Sequence, residues 1–344
     1  MATLASIPFD DNDDGFHFDT QIILQLHEAG TRITEVPIPT YYGDEICYVD
    51  GIGYAKDVTR DVVRYRAHKM GFGTGDLAFA SQAYELKDDG DTSHVRVVDW
   101  LSNRPPSRIL DLGCSDGALG AKLSDQGHSV IGVDVMEHDG VRDRLTDFHA
   151  ADLDSGIPEA VGGDFDVVLA ADVIEHVRSP ATLLDQIKPL LRPGGSLIAS
   201  IPNFGHWYPR ARVAFGCFDY DARGILDEGH VRFFTRRSFG RLLTECGWTI
   251  RRSESIGLPL GVVDRGAGDT RSPSRLRPFV ARLDRGVTAL RPQLFAYQFL
   301  YDLEPAAIRP LPAPEMVVTR PGHANSDSAS ATGDAKVDDE ASIV

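Results

Sequence analysis

Four short apolar runs constrain this chain more than any other feature: RILDLG (108–113), HSVIGVD (128–134), FDVVLAA (165–171) and SLIASI (196–201). None alternates apolar with polar residues, the pattern of strands buried on both faces. Helical and loop sequence separates each run from the next. Strands that alternate with helices build βαβ units, so the expected fold class is α/β, a parallel sheet with helices on both faces.

The flanking sequence extends this frame. Residues 81–100 have a polar, helical rhythm, and WTIRRSESI (248–256) reads as a later strand. Leu276, Phe279, Val280, Leu283, Val287 and Leu290 mark an amphipathic helix expected to pack on the sheet with its basic face in solvent. LFAYQFLYDL alternates Phe295, Tyr297, Phe299 and Tyr301, the period of a strand. Residues 1–75 read as a separate piece. In it FHFDTQIILQLHEAG predicts a helix with Ile22, Ile23, Leu26 and Ala29 inward and Gly30 as its stop. TRITEVPIPTYY is β-like, DVTRDVVRYR is helical, and Gly71, Gly73 and Gly75 form a hinge. Asp10, Asp11, Asp13 and Asp14 read as a solvated acidic loop. From residue 313 the sequence is small, polar and acidic, and a disordered tail is expected.

Composition narrows the function classes. The net charge of −16 disfavours binding to a phosphate backbone. No apolar run reaches the ~20 residues of a membrane-spanning helix. Cys47, Cys114, Cys217 and Cys246 stand far apart with no Cys-x-x-Cys, as expected for reduced cytoplasmic thiols. No His/Cys/Asp group shows metal-ligand spacing, so no metal is expected.

ILDLGCSDGALG (109–120) carries the chemistry. A strand ends in Asp111 and Gly113, a tight turn follows, and a helix begins. Gly113 and Gly117 let the backbone approach a ligand. A dinucleotide site needs Gly-x-Gly-x-x-Gly, and here Ser115 and Ala118 break it. The alternative is Asp-x-Gly-x-x-x-Gly, a loop that suits S-adenosylmethionine, whose ammonium and sulfonium are compatible with strand-end acids. Asp134 ends the second run, where a carboxylate can accept both hydroxyls of a ribose. Asp152, beside apolar Leu153, is placed to accept from an adenine amino group.

Over roughly residues 81–305 the chain resembles the class I S-adenosylmethionine-dependent methyltransferases. SIPNFGHW, DLDSGIP and GHVRFFTRRSFGRLLTECGW resemble the methionine-biosynthesis W-type and ubiquinone-type O-methyltransferase branch. The resemblance implies a Rossmann-like seven-stranded sheet with an antiparallel last strand, in a domain over 76–312. It assigns ligand roles to Asp111, Gly113, Asp134, Asp152 and Ala171. Ser115 stands where a glycine is commoner, which predicts a changed hydrogen bond and a retained site.

GFHFDTQIILQLHEAGTRITEVPIPTYYGDEI resembles the C-terminal end of family 2 glycosyltransferases of the dolichyl-phosphate mannosyltransferase type. That implies a small α/β appendage over 1–75. The family's nucleotide-sugar half, with its Asp-x-Asp motif, does not precede it here, so sugar transfer by this chain is not expected. Deleting residues 1–70 is expected to spare cofactor binding, and the chain reads as a possible fragment of a bifunctional enzyme. The linkage points to a glycan, glycolipid or related small-molecule acceptor.

A hydroxyl acceptor benefits from a general base. His206, His230 and His176 are the candidates, and His206, in a loop with Phe204, Trp207 and Tyr208, is preferred. The stretch 251–291 holds nine arginines against four acidic residues and allows peripheral contact with an anionic membrane. Two other readings remain: a catalytically silent partner on the same fold, and a nicotinamide oxidoreductase, which the glycine spacing disfavours.

Overall fold

The computed structural model describes residues 7–29, 31–34, 36, 37, 39, 49–70, 72, 73, 92–221, 223–259 and 277–306. In chain order come α1 (Phe18–Glu28), α2 (Gly51–Lys69), α3 (Ser93–Leu101), β1 (Arg108–Leu112), α4 (Ala118–Asp125), β2 (Ser129–Asp134), α5 (Val141–Arg144) and β3 (Asp147–Ala150). Then follow β4 (Phe165–Ala171), α6 (Pro180–Ile187), β5 (Leu191–Pro202), α7 (Trp207–Ala214), α8 (Arg236–Glu245), β6 (Trp248–Ile256), α9 (Arg277–Leu290), α10 (Pro292–Phe295) and β7 (Gln298–Pro305).

The seven strands form one sheet in the order β3-β2-β1-β4-β5-β7-β6. β1 to β5 are parallel, and β7 runs antiparallel between β5 and β6. This is the expected Rossmann-like seven-stranded arrangement with an antiparallel last strand. The apolar runs split by parity between two cores. Ile109, Val130, Val167, Leu169 and Ile198 pack with α3 and α4, and Leu110, Ile131, Val168, Ala170 and Leu197 pack with α6 and α8. Burial on both faces is why these strands show no alternation.

The C-terminal strands differ in part from the expectation. The first residues of LFAYQFLYDL form the short helix α10, and the strand starts at Gln298. Phe299, Leu300, Tyr301 and Leu303 are all buried, because β7 is an interior strand with a core on each face. β6 is the edge, and its exposed Arg251 and Arg252 discourage further pairing. α9 forms, yet its apolar residues do not pack on the sheet: Phe279 is 65% and Leu290 77% exposed. Its inward contacts are polar, with the Asp284 carboxylate accepting the Leu258 N–H and the Thr288 hydroxyl donating to the Phe295 carbonyl.

The N-terminal piece is also held differently. The inward face of α1 is Gln21 and Gln25, while Ile23 is exposed. Gln21 Nε2 donates to Asp13 Oδ2 (3.1 Å) and to the buried Asp61 of α2 (2.9 Å), and His17 Nε2 lies 3.0 Å from Asp13. Asp13 is therefore part of a polar network, and its hydrogen bonds from His17 and Gln21 hold it below the usual carboxylate range. The expected β-like run shows no strand among its described residues, and the rest of it lies outside them. So do Gly30, Cys47, Gly71, Gly75, residues 81–91, Leu276 and the expected tail. Gly73 is anchored, its N–H donating to Tyr208 Oη at 3.0 Å, and buried Phe72 packs edge-on to Tyr208 at 4.5 Å. Among the described residues no helix is long and apolar enough to cross a membrane.

Candidate functional site

The sheet order reverses at β1: β2 and β3 lie on one side, β4 and the later strands on the other. At such a switch point the connections leaving adjacent strands diverge, and a crevice opens beyond their carboxyl ends. A cleft of about 380 Å³ lies there, lined by the loops that leave β1, β2, β3 and β4. Gly113, Ser115, Asp134, Asp152, Leu153 and Ala171 all line it. A smaller inner recess shares Gly113 and Ala171 with the cleft and adds Asp111, Cys114, Asp116 and His94.

Gly113 shows how tightly the two central loops meet. It has φ +70°, and a Cβ there would lie 2.6 Å from Val173 Cγ2 in the loop after β4. Its N–H donates to the Val133 carbonyl at 2.7 Å. Ser115 also takes a left-handed conformation, φ +50°, and its N–H donates to Asp134 Oδ2 at 2.8 Å. Asp134 thus ties the first loop to the end of β2. A carboxylate oxygen has two lone pairs, so the group retains acceptor capacity toward the cleft. Gly117 does not line the cleft. It is the left-handed cap of α4, and a Cβ there would press on Leu145 and Val141, so its role is packing.

Asp111 is 2% exposed, and its Oδ2 is buried with no hydrogen-bond partner among the described residues. Burial, reinforced by the Asp134 charge, pushes its carboxyl up to about 7. A buried acceptor without a donor is suited to a cationic ligand group. The first turn of α4 does not suit an anion, because Asp116 Oδ1 already accepts the Ala118 N–H and Arg144 pairs with the other Asp116 oxygen. A pyrophosphate would meet carboxylates where it needs donors. The chemistry of these residues fits S-adenosylmethionine, which brings an ammonium and hydroxyl donors and no phosphate. Asp152 is exposed, and its Oδ1 caps the turn at the Asp154 N–H (2.9 Å).

The three histidines separate. His206 is fully buried and does not line the cleft. Its Nδ1 accepts the Tyr208 N–H at 3.3 Å as the cap of α7, and its ring stacks on Phe72. Burial lowers its pKa to about 4, so the imidazole is neutral and is a cap and packing group in place of the expected base. His206→Ala is expected to lower the melting temperature, at a cost of about 1–2 kcal/mol for the lost cap, while S-adenosylmethionine affinity stays within twofold in a calorimetric titration. His176 lies at the cleft mouth, and His230 meets it edge-on with ring centroids 4.8 Å apart. Burial first, then the adjacent His176, hold the His230 imidazole below its ordinary range.

Two features escaped the sequence. Asp172, at the end of β4, has φ +59°, a region that asparagine and aspartate tolerate better than other side chains. Its N–H donates to Ser200 Oγ, and its Oδ1 accepts from Ser200 and from Gln298 of β7. Glu175, His176 and His230 also converge, although no local spacing announces them.

Residues 91–253 match the family model described as Methyltransferase domain. The ubiquinone biosynthesis O-methyltransferase of Pseudomonas aeruginosa (strain LESB58) is 31% identical over 134 residues, 35% of this chain and 55% of that protein. That of Burkholderia pseudomallei (strain K96243) is 32% identical over 128 residues, with the same shares. The chain spans about half the length of these curated relatives. A solved S-adenosylmethionine-dependent methyltransferase from Geobacter sulfurreducens, in complex with S-adenosyl-L-homocysteine, aligns over 66% of this chain and 96% of its own with 18% identity and a TM-score of 0.41.

Proposed function

We propose that this chain transfers a methyl group from S-adenosylmethionine to a hydroxyl oxygen of a small organic acceptor. The observation that carries the reading is the acid set around the cleft: a buried Asp111 oxygen with no partner among the described residues in the adjoining recess, and the Asp134 and Asp152 carboxylates lining the cleft itself. S-adenosylmethionine supplies an activated methyl group on a sulfonium. Asp111 offers its carboxylate to the ammonium, and Asp134 holds the ribose while fixing the loop that carries Ser115. Ala171 and Val173 keep the wall apolar, and Asp172 is held rigid at the side where β4 ends. An acceptor enters beside His176, at the open side of the cleft.

Oxygen as the methylated atom is supported by the names of the ubiquinone biosynthesis relatives. A glycan or glycolipid acceptor draws its support from the N-terminal resemblance to family 2 glycosyltransferases, and a basic α9 suits an anionic membrane surface. Calorimetric titration tests the cofactor: S-adenosylmethionine should bind and NAD should not. Asp134→Ala should weaken binding at least about tenfold, the worth of hydrogen bonds to a charged group, with the protein still folded. Unchanged affinity would remove Asp134 from the ribose site. Formation of S-adenosylhomocysteine with hydroxylated acceptors tests the transfer itself.

A further inference from the structure

We propose that the rings of Phe218, Tyr220 and Phe233 form a stacking platform beside the cleft mouth for a neutral hexose ring of the acceptor. The proposal rests on the methyl-transfer reading and names where a glycan acceptor lies. Rings lead out of the cleft in steps. His176 lines the cleft, His230 meets it with centroids 4.8 Å apart, and Phe233 follows at 6.1 Å from His230. Phe218 and Tyr220 then stand 6.2 and 6.3 Å from Phe233. Each of these two is 49% exposed, so neither ring is spent on the core. An exposed aromatic patch that adjoins a cleft marks a contact surface.

The backbone sets these rings before any ligand arrives. Tyr220 precedes Asp221, whose buried carboxylate accepts from Tyr208 Oη at 2.8 Å and from Arg212. The Asp221 N–H donates to the Leu226 carbonyl at 2.8 Å, and the Asp221 carbonyl accepts the Glu228 N–H at 3.2 Å. The Cys217 N–H donates to the Arg212 carbonyl at 2.8 Å, which closes the end of α7 just before Phe218. On the other side, the Phe204 N–H donates to the Phe234 carbonyl at 2.8 Å, and the Phe204 ring backs Phe233 at 4.9 Å. Rings fixed in this way lose little freedom when a ligand docks.

Ring geometry and the neighbouring charges select the ligand. Tyr220 and Phe233 lie within 26° of parallel at 6.3 Å, an offset pair that presents two stepped faces. The face of an aromatic ring is negative, and the C–H groups on one face of a pyranose are positively polarised, so the two surfaces attract. The charged groups exposed in the same stretch are carboxylates: Asp219, whose side chain is 75% exposed, and Glu228. Carboxylates accept the hydroxyls along a sugar's edge. The same acids repel the headgroups of an anionic lipid surface. A neutral, polyhydroxylated ring with one apolar face satisfies both the rings and the acids.

The test is saturation-transfer NMR on the full chain with the methyl glycosides of glucose, galactose and mannose. Transfer should concentrate on the C–H protons of one ring face for at least one of them. It should drop at least about fivefold when Phe218→Ala and Tyr220→Ala are combined, and survive in Tyr220→Phe, which keeps the face. Both positions are half-exposed, so the variants should stay folded by circular dichroism. No transfer to any hexoside, or transfer unchanged in the double variant, overturns the platform. Transfer to phenol alone, or sedimentation with phosphatidylglycerol vesicles that the double variant loses while no hexoside responds, also overturns it and assigns the rings to an aryl group or a lipid. S-adenosylmethionine titration of the same samples runs in parallel: failure there sinks the cofactor reading while the NMR still judges the platform. For the acceptor role, S-adenosylhomocysteine release with the hexoside that binds should show KM raised about fivefold in Phe218→Ala and kcat within about twofold. No release, or an unchanged KM, overturns that role.

Discussion

Asp111→Asn should strengthen the empty protein above neutral pH and destroy its cofactor affinity. The carboxyl is buried, and its pKa stands at about 7 in the folded chain against an ordinary 3.8. A raised folded-state pKa contributes stability that is present below about pH 4 and is lost as pH rises through about 7. Above neutrality the empty protein therefore holds a buried charge beside a second one, Asp134. Asparagine removes it. The gain is on the order of 2 kcal/mol at pH 8, after allowing for the newly buried amide, and it should disappear near pH 5. Thermal melts of both proteins at the two pH values measure it. The same change removes the counter-charge for an ammonium, and S-adenosylmethionine affinity should fall ten- to a hundredfold. In the unaltered chain, binding should draw the Asp111 proton off, so affinity should weaken by up to tenfold per unit as pH drops below about 7. Calorimetry in buffers of differing ionisation enthalpy reads that proton directly. A variant that binds S-adenosylmethionine normally would exclude Asp111 from the ammonium site.

Gly113→Ala should cost both stability and binding, because two faults coincide. The position has φ +70°, which strains any Cβ-bearing residue by about 1 kcal/mol, and the new methyl would overlap Val173 Cγ2 at 2.6 Å. Both loops form the wall of the cleft, so the overlap moves the wall itself. A loss of about 2–4 kcal/mol in denaturant unfolding and about a hundredfold in S-adenosylmethionine affinity is expected. Val173→Ala in the same chain should relieve the overlap and leave the strain. The double variant should then recover part of both losses, and a strictly additive result would place the cost elsewhere.

Much of the site was legible because a parallel sheet turns sequence order into spatial order. Gly113, Asp134 and Ala171 end apolar runs and Asp152 follows the short β3, and parallel strands bring such ends to one edge. Strand interiors buried on both faces left continuous runs that periodicity could read. At Ser115 the sequence predicted a changed hydrogen bond, whereas the left-handed turn that delivers its N–H to Asp134 is visible only in the structure.

What the sequence by itself determined was therefore the sheet, the glycine loop and the order of acids around the cleft, all consequences of local pattern and chain order. Tertiary structure alone decided the direction of each remaining polar side chain. His206 sits in an aromatic loop, yet helix capping and the Phe72 ring turn it inward. Gln21 and Gln25 are the buried residues of α1 while Ile23 is exposed, because Asp13, Asn12 and Asp61 supply the glutamines' partners. α9 has the periodicity of a buried helix but is held by polar bonds, through Asp284 to the loop after β6 and through Thr288 to α10. Glu175 and His176 meet His230 only because two backbone N–H groups from its segment dock on the Glu175 carbonyl. Periodicity reports which residues share a face of one element. The partner that covers that face comes from elsewhere in the chain, and for buried polar groups the geometry of that partner's donors and acceptors decides where they point.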